Sequence, residues 1–327
     1  MIRTLRVHDE RWPTAQTFVI ARGAKTEAHV LVVEVEQAGV IGRGEAVPYP
    51  RFGETMADAV AQVENTRPAV EAGISRLELQ GLMLAGAARN AIDCALWDLE
   101  AKLTGEPAWQ AAGKARLDPV KTCFTLSLDT PQVMAEVARA HAGRPMLKLK
   151  IGAPDDLGRV EAVRAAAPRT RLVVDANEGL AFEDLRRLLP DFARLRVQLV
   201  EQPLKVDEDA ALDGFESPVM LCADESLRTR ADLETCARRY GCINVKLDKA
   251  GGLTEALALT AAARAHGLSV MAGCMVATSL SMAPAMIIAQ GAEFVDLDGP
   301  LLLARDREPG LAYEGSMIRP PARELWG

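Results

Sequence analysis

The sequence predicts an α/β fold: a modified TIM barrel of the (β/α)7β kind over residues 118–305, behind an N-terminal α+β capping domain over residues 1–117, with a tail, residues 306–327, that returns to complete the cap. Three observations lead there. From about residue 118 the chain alternates short apolar runs with helical stretches in strict succession. Five charged residues, Lys150, Asp175, Glu201, Asp224 and Lys246, stand 25, 26, 23 and 22 residues apart, each in or just after one of those apolar runs. Strand ends of a parallel barrel recur at about this interval and point to one rim, where the chemistry of such barrels is grouped. The first ~115 residues have a different texture, strand-like alternation followed by helices.

In chain order, residues 16–22, 28–36 and 40–46 read as strands of an antiparallel meander. The Pro- and Gly-bearing stretch VPYPRFGET at 47–55 reads as a loop. Helices follow at 55–72 and 85–104; in the second, Ala88, Ala91, Ile92, Ala95, Leu96, Leu99 and Leu103 recur at helical spacing. Barrel strands are predicted at 121–128, 146–151, 171–176, 197–202, 219–224, 243–248, 269–274 and 294–298, with helices between them, such as 155–167 and 253–266. Thr130-Pro131 and Thr278 read as helix starts. After the eighth strand no full helix is legible, only the Pro- and Gly-rich tail. A doubly wound sheet is the competing architecture. It would show a glycine-rich phosphate loop after its first strand and fewer parallel strands, and this sequence has neither.

At 327 residues the chain can bury a large core and is long enough for two domains. A net charge of -7 and the lack of a basic cluster argue against nucleic-acid binding. The start, MIRTLRVHDERWPT, lacks the apolar core of a signal peptide, and no uncharged run reaches the ~20 apolar residues of a membrane span. The apolar segment LSVMAGCMVATSLSMAPAMIIA is punctuated by Gly, Ser, Thr and Pro, and reads as a buried strand, a turn and a buried helix. Six scattered cysteines without a CxxC pair read as reduced, buried thiols, so a cytoplasmic location is expected.

Asp175, Glu201 and Asp224 end three adjacent strands. Hard oxygen ligands of this kind suit Mg²⁺, with Mn²⁺ as a substitute, and no His or Cys accompanies them to suggest zinc. Without a cation, three acids at a partly buried rim would repel one another. Lys148 and Lys150 share one face of their strand. A barrel strand is covered on both sides, so two lysines on one face need a reason. The second cation is expected to lower one lysine's pKa and make it a usable base. Lys246 faces them from four strands further round. Asp248 shares its face, and a plain salt bridge between Lys246 and Asp248 is the structural alternative. Lys249 is expected to be exposed or to bond loop carbonyls. Such a set implies a reaction. The metal binds a substrate carboxylate and stabilises the enolate left when the α-proton departs; one lysine removes that proton and the other returns it to the opposite face. With one active base, the same site could drive elimination or cycloisomerisation.

The motifs LKLKIG, VVDAN, VEQPL, CADES and INVKLDKAGG resemble the enolase superfamily in its muconate-lactonizing-enzyme subgroup, and within it the dipeptide epimerases. The resemblance extends to FVIARGAKTEA, GRGEAVPYPRFGET and GAARNAIDCALWDLEAK in the first domain. It implies that Lys150 and Lys246 are the acid/base pair, that Asp175, Glu201 and Asp224 bind Mg²⁺, and that Lys148 supports Lys150 and the substrate carboxylate. Asp296 and Asp298, in FVDLDGP, match a DxD motif that holds the substrate's free ammonium; two acids two apart on a strand share a face, and their sign suits a cation. Arg22, in IARGAK, matches an arginine that pairs with a glutamate side chain. The first domain would close over the barrel mouth, with loops near 16–27 and 47–55 touching the substrate. GCMVATSLSMAPA would line the pocket, and His266 would be an exposed helix end. The implied function is epimerisation at the second residue of Ala-Glu or a related dipeptide, of use in recycling murein peptides. Alternatives are a D-Ala-D-Ala-type epimerase, or a lyase of the o-succinylbenzoate synthase or muconate cycloisomerase type. The expected partner is a small dipeptide, with neither nucleic acid nor membrane, and assembly into a homo-oligomer is possible.

Overall fold

A computed structural model describes residues 3–20 and 23–327. β1 (Arg3–Ile20), β2 (Gly23–Gln37) and β3 (Val40–Ala46) form an antiparallel sheet in that order. β1 begins well before residue 16, where the sequence pattern first reads as a strand. Its first half carries charged residues on an edge paired to β2 alone, and only Leu5 in it is buried, so its alternation is weak.

α1 (Met56–Glu71) starts at Thr55, whose hydroxyl accepts from Asp58 N at 3.1 Å. α2 (Arg76–Leu82) starts at a Ser75–Glu78 capping box. α3 (Ala87–Thr104) is buried on nearly every side. On one side it lies against Gly42 and Gly44 of β3. A Cβ at Gly44 would stand 2.1 Å from Ala91 O, so only glycine allows this approach. On the other side it meets the barrel: Thr254 N donates to Asp93 at 2.9 Å, and Trp97 Nε1 to the Thr254 hydroxyl at 2.9 Å. A short α4 (Ala108–Ala111) leads out of the cap.

After a two-residue β4 (Val120–Lys121), eight parallel strands follow: β5 (Phe124–Leu126), β6 (Met146–Lys150), β7 (Arg171–Asp175), β8 (Val197–Glu201), β9 (Met220–Ala223), β10 (Cys242–Val245), β11 (Ser269–Ala272) and β12 (Phe294–Val295). They pair in sequence order. Cys123 N donates to Val295 O at 2.9 Å and Leu297 N to the Thr122 hydroxyl at 2.8 Å, which brings the two ends of the sheet together. The connections are α5 (Pro131–Ala140), α6 (Leu157–Ala166), α7 (Phe182–Arg194), α8 (Leu233–Arg239), α9 (Leu247–Ala250) with α10 (Leu253–Ala265), and α11 (Ser279–Ala289). Between β8 and β9 there is only a 3-10 turn, Asp209–Leu212, where an acid-rich segment bounded by Pro203 and Gly214 leaves no apolar helical face. The helix starts expected at Thr130 and Thr278 are both present, each capped by its threonine hydroxyl.

Cys123, Met146, Val173, Leu199, Cys222, Cys242, Met271 and Phe294, one from or beside each strand, pack together inside the barrel. They form its floor, a packed core rather than a pore, and leave the strand ends above them for polar groups. The six cysteines are free; five are buried and Cys274 is half-buried. In the tail, β13 (Tyr313–Glu314) pairs with β14 (Met317–Ile318), which pairs with β4, and Trp326 Nε1 then donates to Cys94 O of α3 at 3.0 Å. The apolar segment around residues 268–289 is β11 and α11, and among the described residues no helix is long and apolar enough to cross a membrane.

Candidate active site

Lys148 and Lys150 both turn into the barrel from the end of β6. Lys150 Nζ lies 2.5 Å from Asp175 Oδ2, at the end of the neighbouring β7. Lys148 Nζ stands 2.7 Å from Glu201 Oε2, 3.1 Å from Asp175 Oδ2 and 2.7 Å from Asp296 Oδ2. On the far side, Lys246 Nζ donates to Asp224 Oδ2 at 2.7 Å. All these side chains are buried. Lys148, Lys150, Lys246, Asp296 and Asp298 line one pocket, together with Phe18, Lys25 and Tyr49 of the cap and with Asn177, Cys274 and Met275 of barrel loops.

The sequence leaves open which of Lys148 and Lys150 has the lowered pKa, and Lys148 is not that one. Burial does oppose its charge, but Asp296, Glu201 and Asp175 outweigh burial and hold it well above the ordinary value. Lys246 is likewise raised, Asp224 and Glu201 outweighing burial. The structural alternative for Lys246 is not found. Asp248 does not pair with Lys246; it accepts from Val47 N at 2.8 Å and Asn90 Nδ2 at 3.1 Å in the cap. The strand ends at Val245 and α9 begins at Leu247, so the alternation that put residues 246 and 248 on one face stops between them. Lys249 is buried, not exposed. It donates to the carbonyls of Asp224 and Asn244 and lies 2.6 Å from Asp224 Oδ1. Arg22 lies outside the described residues. His266 is exposed at the end of α10, as expected.

The three strand-end acids fit a hard divalent cation. They come from adjacent strands, with Asp175 paired in register to Glu201, and no imidazole stands among them. Glu201 Oε2 and Asp224 Oδ1 are buried and accept no well-aligned hydrogen bond, although lysine ammoniums approach both. Burial, then the charge of Asp175, pushes the Glu201 carboxyl up to about 7. A cation among these oxygens would relieve that repulsion. Asp175 and Asp224 stay below the usual range because their lysines outweigh burial.

Across the site, Asp298 Oδ2 accepts from Thr125 N at 2.6 Å, and the Cys123 thiol lies 3.0 Å from Asp296 Oδ1. Burial and the nearby Asp296 push the Asp298 carboxyl up to about 7, whereas Lys148 keeps Asp296 low against burial. Cys123, Asp296 and Asp298 also bring three possible ligand atoms within 4.8 Å of one another. Lys148 and Thr125 N already engage that pair of acids.

Sequence reasoning passed over two supporting residues. Asn244 Nδ2 donates to Glu201 Oε1 at 2.7 Å. Gln202 Oε1 accepts from Asp224 N at 2.9 Å, and its amide nitrogen bonds Leu204 O, the Ser226 hydroxyl and the Tyr240 hydroxyl. Asn244 stands two residues before Lys246, on the same face of β10, and that spacing could have revealed it. Nothing local marks Gln202, whose partners lie on the next strand and beyond.

The family model described as "Mandelate racemase / muconate lactonizing enzyme, N-terminal domain" matches residues 2–113, and "Enolase C-terminal domain-like" matches residues 132–324. L-Ala-D/L-Glu epimerase of Escherichia coli (strain K12) is 45% identical over 314 residues, covering 95% of this chain and 98% of the relative. N-acetyl-D-glutamate racemase of Pseudoalteromonas sp is 40% identical over 300 residues, covering 91% and 95%. A solved structure of an enolase family member from Agrobacterium tumefaciens, with homology to dipeptide epimerases and with bound sodium and L-Ala-L-Glu, is 49% identical; its TM-score is 0.98, covering 99% of this chain and 100% of that one. The dipeptide epimerase of Enterococcus faecalis V583, complexed with Mg and L-Leu-L-Tyr, is 28% identical with a TM-score of 0.90, covering 98% of each chain.

Proposed function

The chain belongs to the mandelate racemase / muconate lactonizing enzyme family and is an isomerase, and we propose that Lys150 and Lys246 invert the α-carbon of the second residue of a dipeptide. The observation that carries this reading is the placement of the two lysines. β6 and β10 are four strands apart in an eight-stranded ring, and both side chains line one pocket. A substrate between them offers one face of its α-carbon to each. One lysine, neutral, takes the α-proton; the other, as an ammonium, delivers a proton to the opposite face.

Asp175, Glu201 and Asp224 would hold Mg²⁺, which would supply positive charge against the substrate carboxylate. The lysines are tied to two of those same acids, through Asp175 Oδ2 and Asp224 Oδ2. Lys148 remains an ammonium beside the substrate carboxylate. Asp296 and Asp298 take the free α-ammonium of the first residue, and the substrates of the lyase alternatives have no such group. Residues 1–117 act as the cap, 118–305 as the barrel and 306–327 as the returning tail. An acidic second residue is favoured by Arg22, by Lys25 on the pocket wall, and by the relatives that bind or are named for Ala-Glu.

Racemisation of an N-acylated glutamate is the second reading, supported by the relative named N-acetyl-D-glutamate racemase. Parallel incubation with L-Ala-L-Glu and N-acetyl-D-glutamate, followed by chiral chromatography, separates them. Epimerisation of the dipeptide alone supports the first reading, and turnover of the N-acetyl compound alone overturns it.

A further inference from the structure

Asn177 and Glu178 follow Asp175 with φ of 44° and 68°. Two consecutive non-glycine residues in the left-handed region are unfavourable and persist only where surroundings hold them. Here Asn177 N donates to Asp175 Oδ1 at 2.9 Å, so the turn aims a proposed metal ligand directly. Glu178 N donates to Gln202 O at 2.9 Å and Gly179 N to Ala176 O at 2.8 Å. The buried Glu178 carboxylate receives a two-pronged grip from the cap: Arg51 Nε to Oε2 at 2.6 Å and Arg51 Nη2 to Oε1 at 2.7 Å.

Arg51 sits in a 3-10 turn, Pro50–Phe52, next to Tyr49 on the pocket wall. Its neighbour Phe52 lies under the Arg228 guanidinium, 4.7 Å from the ring centre, and Arg228 follows Asp224 in the loop after β9. The 47–55 loop is thus held on both sides, by loops that follow two of the metal-binding strands. We propose that Arg51 is a positioning residue. Through Glu178 it holds the turn that carries Asn177 and aims Asp175, and through its own loop it holds Tyr49 over the pocket. The inference rests on this pocket being the active site read above.

The test uses the full chain, with Arg51→Met, Glu178→Gln and the double variant. Without substrate, hydrogen–deuterium exchange at residues 47–55 and 176–179 should rise roughly tenfold in each single variant and no further in the double. With L-Ala-L-Glu, KM should rise roughly tenfold in each, with kcat changed by less than about threefold, and the double should again match the singles. Arg51→Lys, which keeps the charge and loses the fork, should fall between. Unchanged exchange at either segment, an unchanged KM, or effects that add in the double variant would overturn the proposal. If the wild-type chain fails to turn over the dipeptide, the functional reading fails, while the exchange experiment still decides the clamp.

Discussion

Lys148 Nζ stands 2.7 Å from Asp296 Oδ2, and the same ammonium lies 2.7 Å from Glu201 Oε2. One buried lysine therefore joins the acids proposed for the metal to the acids proposed for the substrate's ammonium. Three carboxylates keep it charged against burial. It is placed as a counter-ion at the centre of the site, and the proposed reaction assigns proton transfer to Lys150 and Lys246.

Lys150→Ala and Lys246→Ala should each lower epimerisation by about 10²–10⁴-fold, the usual worth of a positioned acid or base, with unchanged circular dichroism. Each variant should still exchange the α-proton of one diastereomer with solvent deuterium, and the two should differ in which one. Mass spectrometry of substrate recovered from D₂O reads this. Full activity in either variant would remove that lysine from the reaction.

Asp298→Asn should raise KM for the dipeptide while leaving Mg²⁺ affinity, measured by calorimetry, within about twofold. A charge-assisted bond to the substrate is worth roughly 1.5–3 kcal/mol, about 10- to 100-fold in binding. An unchanged KM would remove the reason for assigning the ammonium to this acid.

Asn244→Leu should weaken Mg²⁺ binding by roughly 10–100-fold, because Glu201 Oε1 loses the amide that orients it. Calorimetric titration of Mg²⁺ into wild type and variant measures this without substrate. Equal affinities would show that Glu201 holds its position unaided.

Asp248→Asn should change how stability depends on pH. Burial raises the Asp248 carboxyl from 3.8 to about 7. Between those values the unfolded chain gives up the proton first, so this group reduces stability as pH rises from about 4 to 7, at about 1.4 kcal/mol per unit at most. Below that window both states hold the proton, and above it both have lost it. Asparagine keeps an oxygen for Val47 N and Asn90 Nδ2, both of which bond Oδ1. The variant should therefore gain stability relative to wild type across that window. Urea denaturation at pH 5 and pH 8 compares them, and a constant difference would contradict the raised value.

Much of the site was legible in the sequence, because barrel chemistry sits at strand ends and strand ends recur with the βα unit. Lys150, Asp175, Glu201, Asp224 and Lys246 all lie at the rim for that reason. The direct pairing of Lys148 with Asp296 was not legible: the partners are 148 residues apart and meet only when the sheet curls. Asp248 was misplaced because two-residue alternation was carried past the end of β10 into α9. The first half of β1 was missed because a polar edge strand carries little periodic signal. The direction of the Lys148 shift depended on how many carboxylates surround it, which no local pattern encodes.

The most direct measurement of the central claim is proton NMR of L-Ala-L-Glu in D₂O with the wild-type chain and Mg²⁺. The account predicts loss of the glutamate α-proton signal, growth of L-Ala-D-Glu, and an unchanged alanine α-proton. A glutamate α-proton that persists over hours at substantial enzyme concentration would contradict it.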